Sequence, residues 1–336
     1  MNAYTAPSGI GQHLARAAGV LGLLAGLSAL PAVTQANDQY PSRPVHLVVG
    51  FPAGGGTDWV ARSIAHKMEE ALGTTMVVEN KPGANANIAA ATVARAPADG
   101  YTLVYNTSAI ILNPLLSPKQ GIDALEHLTP IGLAVNQPLL MVTFPESGLE
   151  SVADVVAYLQ KQPGGLNYAS GGTGNITHLS MVMFERSVGV RATHVPYSGD
   201  ASALPDLIGG RIHLYMTTVS GLVPLVRDQR VRALAVGSLK RLSVLPDVPT
   251  LDETAAKGLE LTAWSGVMAP AGTPPDIVAK LNTALRSALA NKELRADFAA
   301  RGVEITASTA EDYATFLAFE RARWSKLIRD ARIRIE

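Results

Sequence analysis

The sequence predicts an α/β protein with two lobes facing each other across a ligand cleft. Three observations predict it. Short apolar runs of strand length alternate with amphipathic runs of helix length. The pattern strand, glycine loop, helix occurs at residues 45–72 and again at 166–185. Roughly 300 residues remain after an N-terminal leader is set aside, which is room for two domains.

The leader is read over residues 1–36. His13 and Arg16 precede an apolar stretch, and Pro31 and Thr34-Gln35-Ala36 follow it, which suits cleavage after Ala36. The apolar stretch is roughly 14 residues long, short of the ~20 that a membrane span needs. The chain has no Cys, so a lipid anchor, disulfides, thiolate chemistry and zinc–cysteine sites are not expected. Lys and Arg number 28 against 28 Asp and Glu, and loss of Arg16 with the leader leaves 27 − 28 = −1. A neutral chain without a basic cluster argues against nucleic acid and membrane surfaces as partners. The expected product is a soluble periplasmic protein.

Residues 45–49 read as a strand and 57–72 as a helix with Val60, Ile64, Met68 and Leu72 on one face. Strands follow at 76–79 and 102–105, with an Ala-rich helix at 88–95 between them, and another strand at 139–144. Ser151-Val152-Ala153-Asp154 forms a capping box ahead of Val155, Val156 and Leu159. The pattern restarts with a strand at 166–169, the loop Ser170-Gly171-Gly172-Thr173-Gly174 and a helix through His178 to Phe184. Strands at 193–195, 212–216 and 231–236 are separated by helices, one of which, 201–208, stops at Gly209-Gly210. Thr273 as N-cap and Pro274 at the first helical position start a long helix, and 277–333 reads as nearly all helical.

The loop Phe51-Pro52-Ala53-Gly54-Gly55-Gly56-Thr57-Asp58 joins the first strand to the first helix. Such a loop exposes backbone N–H groups at the positive end of a helix, which favours an anion. No Gly-Lys-Ser/Thr follows, so the loop suits a carboxylate rather than a nucleotide phosphate. The sequence has no Gly-x-Ser-x-Gly and no His-Glu-x-x-His, and His46, His66, His127, His178, His194 and His213 show no metal-ligand spacing. No catalytic residue, metal or cofactor is therefore expected.

The candidate ligand contacts are Gly55, Gly56, Thr57 and Asp58 in the first loop, with Asn85, Asn87, Asn106 and Ser108 in the next two. The second glycine loop adds Ser170, Gly172, Thr173 and Asn175, and His178, Tyr197 and Thr217 complete the set. Neutral N–H and O–H donors can hold a carboxylate without a counter-charge. Each residue also has an ordinary reading as a cap, turn, hinge or strand-end residue.

Longer stretches carry a family resemblance. Tyr40-Pro41-Ser42-Arg43-Pro44-Val45, the first glycine loop, Glu79-Asn80-Lys81-Pro82-Gly83-Ala84 and Ala98-Asp99-Gly100-Tyr101-Thr102-Leu103 come first. Tyr168-Ala169-Ser170, His194-Val195-Pro196-Tyr197 and Ala269-Pro270-Ala271-Gly272-Thr273-Pro274 follow. Over residues 40–330 the chain resembles the Bug-type periplasmic receptors of tripartite tricarboxylate transporters. The resemblance implies a flytrap that closes on a ligand carboxylate through two glycine-rich loops, mostly backbone amides and ordered water. It implies a lobe crossing near 137–140 and a return near 260–266, with 37–138 and 264–336 in one lobe and 139–263 in the other. It also implies a monomer whose partners are a small organic carboxylate and the membrane components of a transporter.

Several residues depart from the family pattern. Asn85, Ala86 and Ala89 stand where glycines are usual, Asn175 replaces a serine, and His213 and Thr217 stand where Asp is common. An uncharged Thr217 removes a negative acceptor and its repulsion of a second ligand carboxylate. The expected ligand is therefore a dicarboxylate, aliphatic or aromatic, without an amine. A sensor for a signalling system and a hydrolase or lyase on the same scaffold remain open alternatives.

Overall fold

The computed structural model describes residues 1–3, 40–117, 123–330 and 333; residues 4–36 of the expected leader, with its cleavage point, lie outside them. The chain divides into two compact units, Met1–Tyr40 and Pro41–Glu336, and every element below belongs to the second.

Strands Val45–Val49 (β1), Met76–Asn80 (β2) and Thr102–Thr107 (β3) pair in parallel in the order β2-β1-β3. Helices Gly56–Leu72 (α1) and Asn87–Ala94 (α2) make the two crossovers. Helix α1 buries Val60, Ile64 and Met68, the face that its 3.6-residue period marks, and ends on Gly73 in the left-handed conformation. Ala109–Leu116 (α3) and Ala124–His127 (α4) lead into Leu128–Thr143 (β4), a strand of 16 residues.

The second half repeats the scheme. Val152–Lys161 (α5), Asn167–Ser170 (β5), Ile176–Val188 (α6), Thr193–Pro196 (β6) and Asp200–Ile208 (α7) precede Leu214–Thr218 (β7), Val219–Arg227 (α8) and Arg232–Val236 (β8). Strand β5 pairs in parallel with both β6 and β7. Thr262–Pro270 (β9), Pro275–Ala290 (α9), Lys292–Ala299 (α10), Glu304–Ile305 (β10) and Ala310–Asp330 (α11) end the chain, with α9 packed on α1 and α11 on β4.

Strand β4 belongs to both halves. As far as Pro138 it pairs with β9, and from Leu139 onward with β7 and β8. The sequence pattern reveals only its last residues, because Pro130, Gly132, Asn136 and Pro138 interrupt the rest. Register shifts between Pro130 and Gly132, and between Leu133 and Val135, absorb those residues as bulges.

Strands β9 and β10 are absent from the expectation. The expected helical tail is broken at Asn291, whose side chain caps α10, and again at β10. Thr273 does not cap α9: its hydroxyl donates to the Pro270 carbonyl, Pro274 takes the cap position and Pro275 begins the helix. Ser151 caps α5 as its spacing predicts, accepting from the Asp154 N–H.

Glycine allows β9, β4 and α11 to pack closely. A Cβ at Gly266 would stand 2.6 Å from the Gly132 carbonyl oxygen and 2.6 Å from Cζ of the buried Tyr313. Gly266→Ala is therefore expected to destabilise the protein by about 1–3 kcal/mol. Urea unfolding reads this directly, and an unchanged midpoint would contradict the packing described.

Candidate functional site

Four helix N-termini converge on one cavity of about 40 Å³. Gly55 and Thr57 come from the start of α1, and Asn175, Ile176 and Thr177 from the start of α6. Gly199 and Asp200 open α7, and Thr217 and Thr218 precede α8. Each helix follows the carboxyl end of a strand, which is where open α/β sheets gather their ligand groups. The first N–H groups of a helix have no intrahelical partner, and the macrodipole adds positive potential there. No Lys, Arg or His lines the cavity among the described residues, and Asp200 is its one formal charge.

The remaining wall comes from the shared strands: Gln137, where β4 changes partners, and Ala263, Trp264 and Ser265 of β9. Glu320 of α11 holds the Trp264 indole by accepting from its Nε1 at 2.9 Å. Buried oxygens of Gln137, Thr218 and Ser220 have no hydrogen-bond partner. Gln137 and Thr218 line the cavity and Ser220 adjoins it, so a polar guest or water is needed to satisfy them.

The halves meet over this cavity through residues too small to separate them. A Cβ at Gly56 would lie 2.8 Å from the hydroxyls of both Thr218 and Ser220, and one at Gly199 3.1 Å from Cδ of Pro52. One side-chain hydrogen bond spans the same gap: Asn175 Nδ2 donates to Asn85 Oδ1 at 2.7 Å. Asn85 also donates to Asn113 and accepts at its carbonyl from the Asn113 amide. Ala84, Asn85 and Ala86 all have left-handed φ, between 46° and 67°. Asn tolerates that region and alanine does so less readily, so the network holds a turn that glycine would adopt unaided.

Asp200 corrects one premise of the sequence reading. Thr217 itself is uncharged, but its hydroxyl donates to Asp200 Oδ1 at 2.7 Å, and the Tyr215 hydroxyl donates to the same oxygen at 2.6 Å. The strand end that was expected to lack a carboxylate receives one from α7. Burial, reinforced by the neighbouring Asp200 charge, raises the Tyr215 hydroxyl well above its ordinary range and keeps it a donor.

Residues 60–333 match the family model of the tripartite tricarboxylate transporter family receptor. The chain belongs to that family. Three solved structures share its architecture. The periplasmic binding protein BugD is 34% identical at a TM-score of 0.84, with 88% of this chain and 100% of BugD covered. Rpa4515 of R. palustris, solved with adipate, is 36% identical at 0.85, covering 88% and 99%. MatC from Rhodopseudomonas palustris, with bound malate, is 32% identical at 0.82, covering 86% and 100%. The fold is thus the two-lobed periplasmic-binding-protein fold of a Bug-type receptor.

Of the receptor residues expected to contact ligand, Gly55, Thr57, Asn175 and Thr217 line the cavity, and Gly56 closes it. The others do not line it, for reasons of packing. Asp58 is buried behind the first loop, where its carboxylate accepts from Gly54 N–H, Arg62 and Asn80. Burial opposes its charge, but these three partners together hold its pKa below the usual range. Asn106 donates to Tyr313, the Tyr197 hydroxyl donates to Asp206, and Ser108 is buried at the start of α3. Asn85 reaches the site through Asn175, while Asn87 stays at the start of α2 and Thr173 is exposed on its loop. Phe51, Pro52, Gln137, Gly199, Asp200 and Trp264 line the cavity without having been singled out. Asp200 carried a readable signal, an acidic residue directly after Gly199 at a helix start.

Ser170, Gly172 and His178 build the second loop from beneath. Gly172 has φ +132°, a conformation that side chains disfavour, and its N–H donates to Ser170 Oγ. The same hydroxyl is hydrogen-bonded to His194 Nε2, 2.6 Å away, in the direction that the histidine tautomer sets. His178 Nδ1 accepts from the Gly174 N–H. The rings of His178 and His194 stack with centroids 3.9 Å apart, and Tyr168 continues the stack at 5.1 Å from His194.

Burial lowers both histidines to about 4, and the charge of one further disfavours protonation of His178. The unfolded histidines titrate near 6.5, so the unfolded state takes up protons first as pH falls. The stabilisation by the neutral pair is full above pH ~6.5 and is lost as pH falls through about 4. His178→Gln is expected to flatten the fall in unfolding free energy between those limits. An unchanged pH slope would contradict a half-buried neutral pair.

Proposed function

We propose that this receptor captures a small organic carboxylate, in first place a dicarboxylate, in the periplasm and delivers it to membrane components of a tripartite tricarboxylate transporter. The single observation that carries the reading is the convergence of four helix N-termini on a small cavity without a cationic side chain. An anion there accepts from helix-terminal N–H groups that have no intrahelical partner, in surroundings where such bonds strengthen. Adipate in Rpa4515 and malate in MatC support the ligand class. The periplasmic binding protein BugD supports the location, with a mature chain beginning near Asn37.

In this reading residues 37–138 and 264–336 form one lobe and 139–263 the other, hinged where β4 and β9 pass between them. Gly55, Gly56 and Thr57 approach the ligand from the first lobe, and Asn175 and Thr217 from the second. The ligand stabilises the closed form because only that form presents both sets of donors. Asp58, Asn85, Ser170 and His178 act by holding the loops in shape, and the receptor works as a monomer.

A thermal-shift screen of mono-, di- and tricarboxylates and aromatic acids tests the reading. A ligand at ~100 times its Kd should add about 2.7 kcal/mol of stability. Calorimetry on the positives should give one site per chain, and mass spectrometry of exported protein should find no residue before Asn37. Stabilisation by amines or sugars alone, with every acid silent, would overturn the proposal.

A further inference from the structure

Strand β7 presents two hydroxyls to a single carboxylate oxygen. Tyr215 and Thr217, two residues apart, lie on the same side of the strand, and both donate to Asp200 Oδ1. They fix the carboxylate against the cavity wall. Its other oxygen lies between the starts of α1 and α8: Cβ atoms built at Gly55 and Gly221 would lie 3.9 Å and 3.8 Å from Oδ2. No Lys, Arg or His lines the cavity to neutralise it among the described residues. Gln137 Oε1, a second acceptor in the same lining and itself buried, has no partner. One part of an otherwise donor-rich site is therefore an acceptor region, and a guest that fits it must bring a donor.

We infer that Asp200 is a specificity-determining residue that selects carboxylates bearing a hydroxyl or ammonium group beside the carboxylate, and disfavours the unsubstituted acids. The inference rests on the carboxylate-receptor reading and refines it. A plain dicarboxylate offers Asp200 either a methylene, which leaves Oδ2 without a donor, or a second negative charge, which the carboxylate repels. A hydroxyl or ammonium in that place donates to Oδ2 of the fixed carboxylate. The selection comes from α7 and replaces what an acidic residue at the end of β7 would have supplied.

Calorimetry on the mature protein with two matched sets of acids tests this. The first set is succinate, malate and aspartate; the second is glutarate, 2-hydroxyglutarate and glutamate. A substituted member should bind at least about tenfold tighter than its unsubstituted parent, as expected for one hydrogen bond to a charged group. A gain confined to malate and 2-hydroxyglutarate identifies the hydroxyl as the recognised donor, and one confined to the amino acids identifies the ammonium. In Asp200→Asn the side-chain shape is kept while the acceptor is halved, and the preference should fall to within about threefold. Asp200→Gly, which removes the side chain altogether, should give the same result and covers the case in which the first variant does not fold. Tighter binding of succinate or glutarate, or a preference that persists in both variants, overturns the role of Asp200 and leaves the receptor reading intact. Silence of both sets and of the wider acid screen overturns both.

Discussion

The site depends on one close approach, that of Gly56 to the start of α8. With a hydrogen in place of a side chain, the first loop comes within contact of the Thr218 and Ser220 hydroxyls and brings the α1 N-terminus over the cavity. The convergence of helix ends follows from that contact, as do the cross-cleft bond from Asn175 to Asn85 and the packing of Pro52 on Gly199. Much of the second loop exists to present its own backbone to the same space. The left-handed turn at Gly172, the Ser170–His194 bond and the stacked histidines hold it there.

The electrostatics follow from the same geometry. Backbone dipoles, rather than lysines or arginines, provide the attraction for an anion, and they act at short range because the cavity is small. Asp200 offsets part of that potential at one side. The result is a site polarised within itself, donors from helix ends against one fixed acceptor. Asp58, buried behind the first loop, plays no part in this polarity because Arg62 neutralises it there.

Much of the architecture was legible in the sequence because its signals are local. The alternation of β1, α1, β2 and α2, the Ser151 cap and the stop at Gly209 depend on periodicity and end chemistry within a few residues. Strand β4 was mostly hidden, since its prolines and glycine are tolerated only through bulges against a partner more than a hundred residues away. The site was legible in part for the same reason. Gly55, Thr57 and Asn175 sit on the glycine loops that announce them, whereas Gln137 and Trp264 reach the cavity only through the pairing of β4 with β9. Asp200 shows the limit most clearly. Its chemical meaning depends on Tyr215 and Thr217, which only the folded chain brings to it.

The central claim is that this receptor binds by closing glycine-rich loops onto an anion, and Gly56 allows it to be tested without disturbing either half. Alanine suits the start of a helix, so Gly56→Ala should leave the α1 lobe folded while its Cβ meets Thr218 and Ser220 at 2.8 Å. Small-angle scattering of both proteins, with and without the acid that stabilises the wild type most, measures closure directly. The account predicts that the radius of gyration of the wild type falls on adding the acid while that of Gly56→Ala stays at its unliganded value. Equal compaction of both proteins, or none in a wild type saturated with ligand, would contradict it.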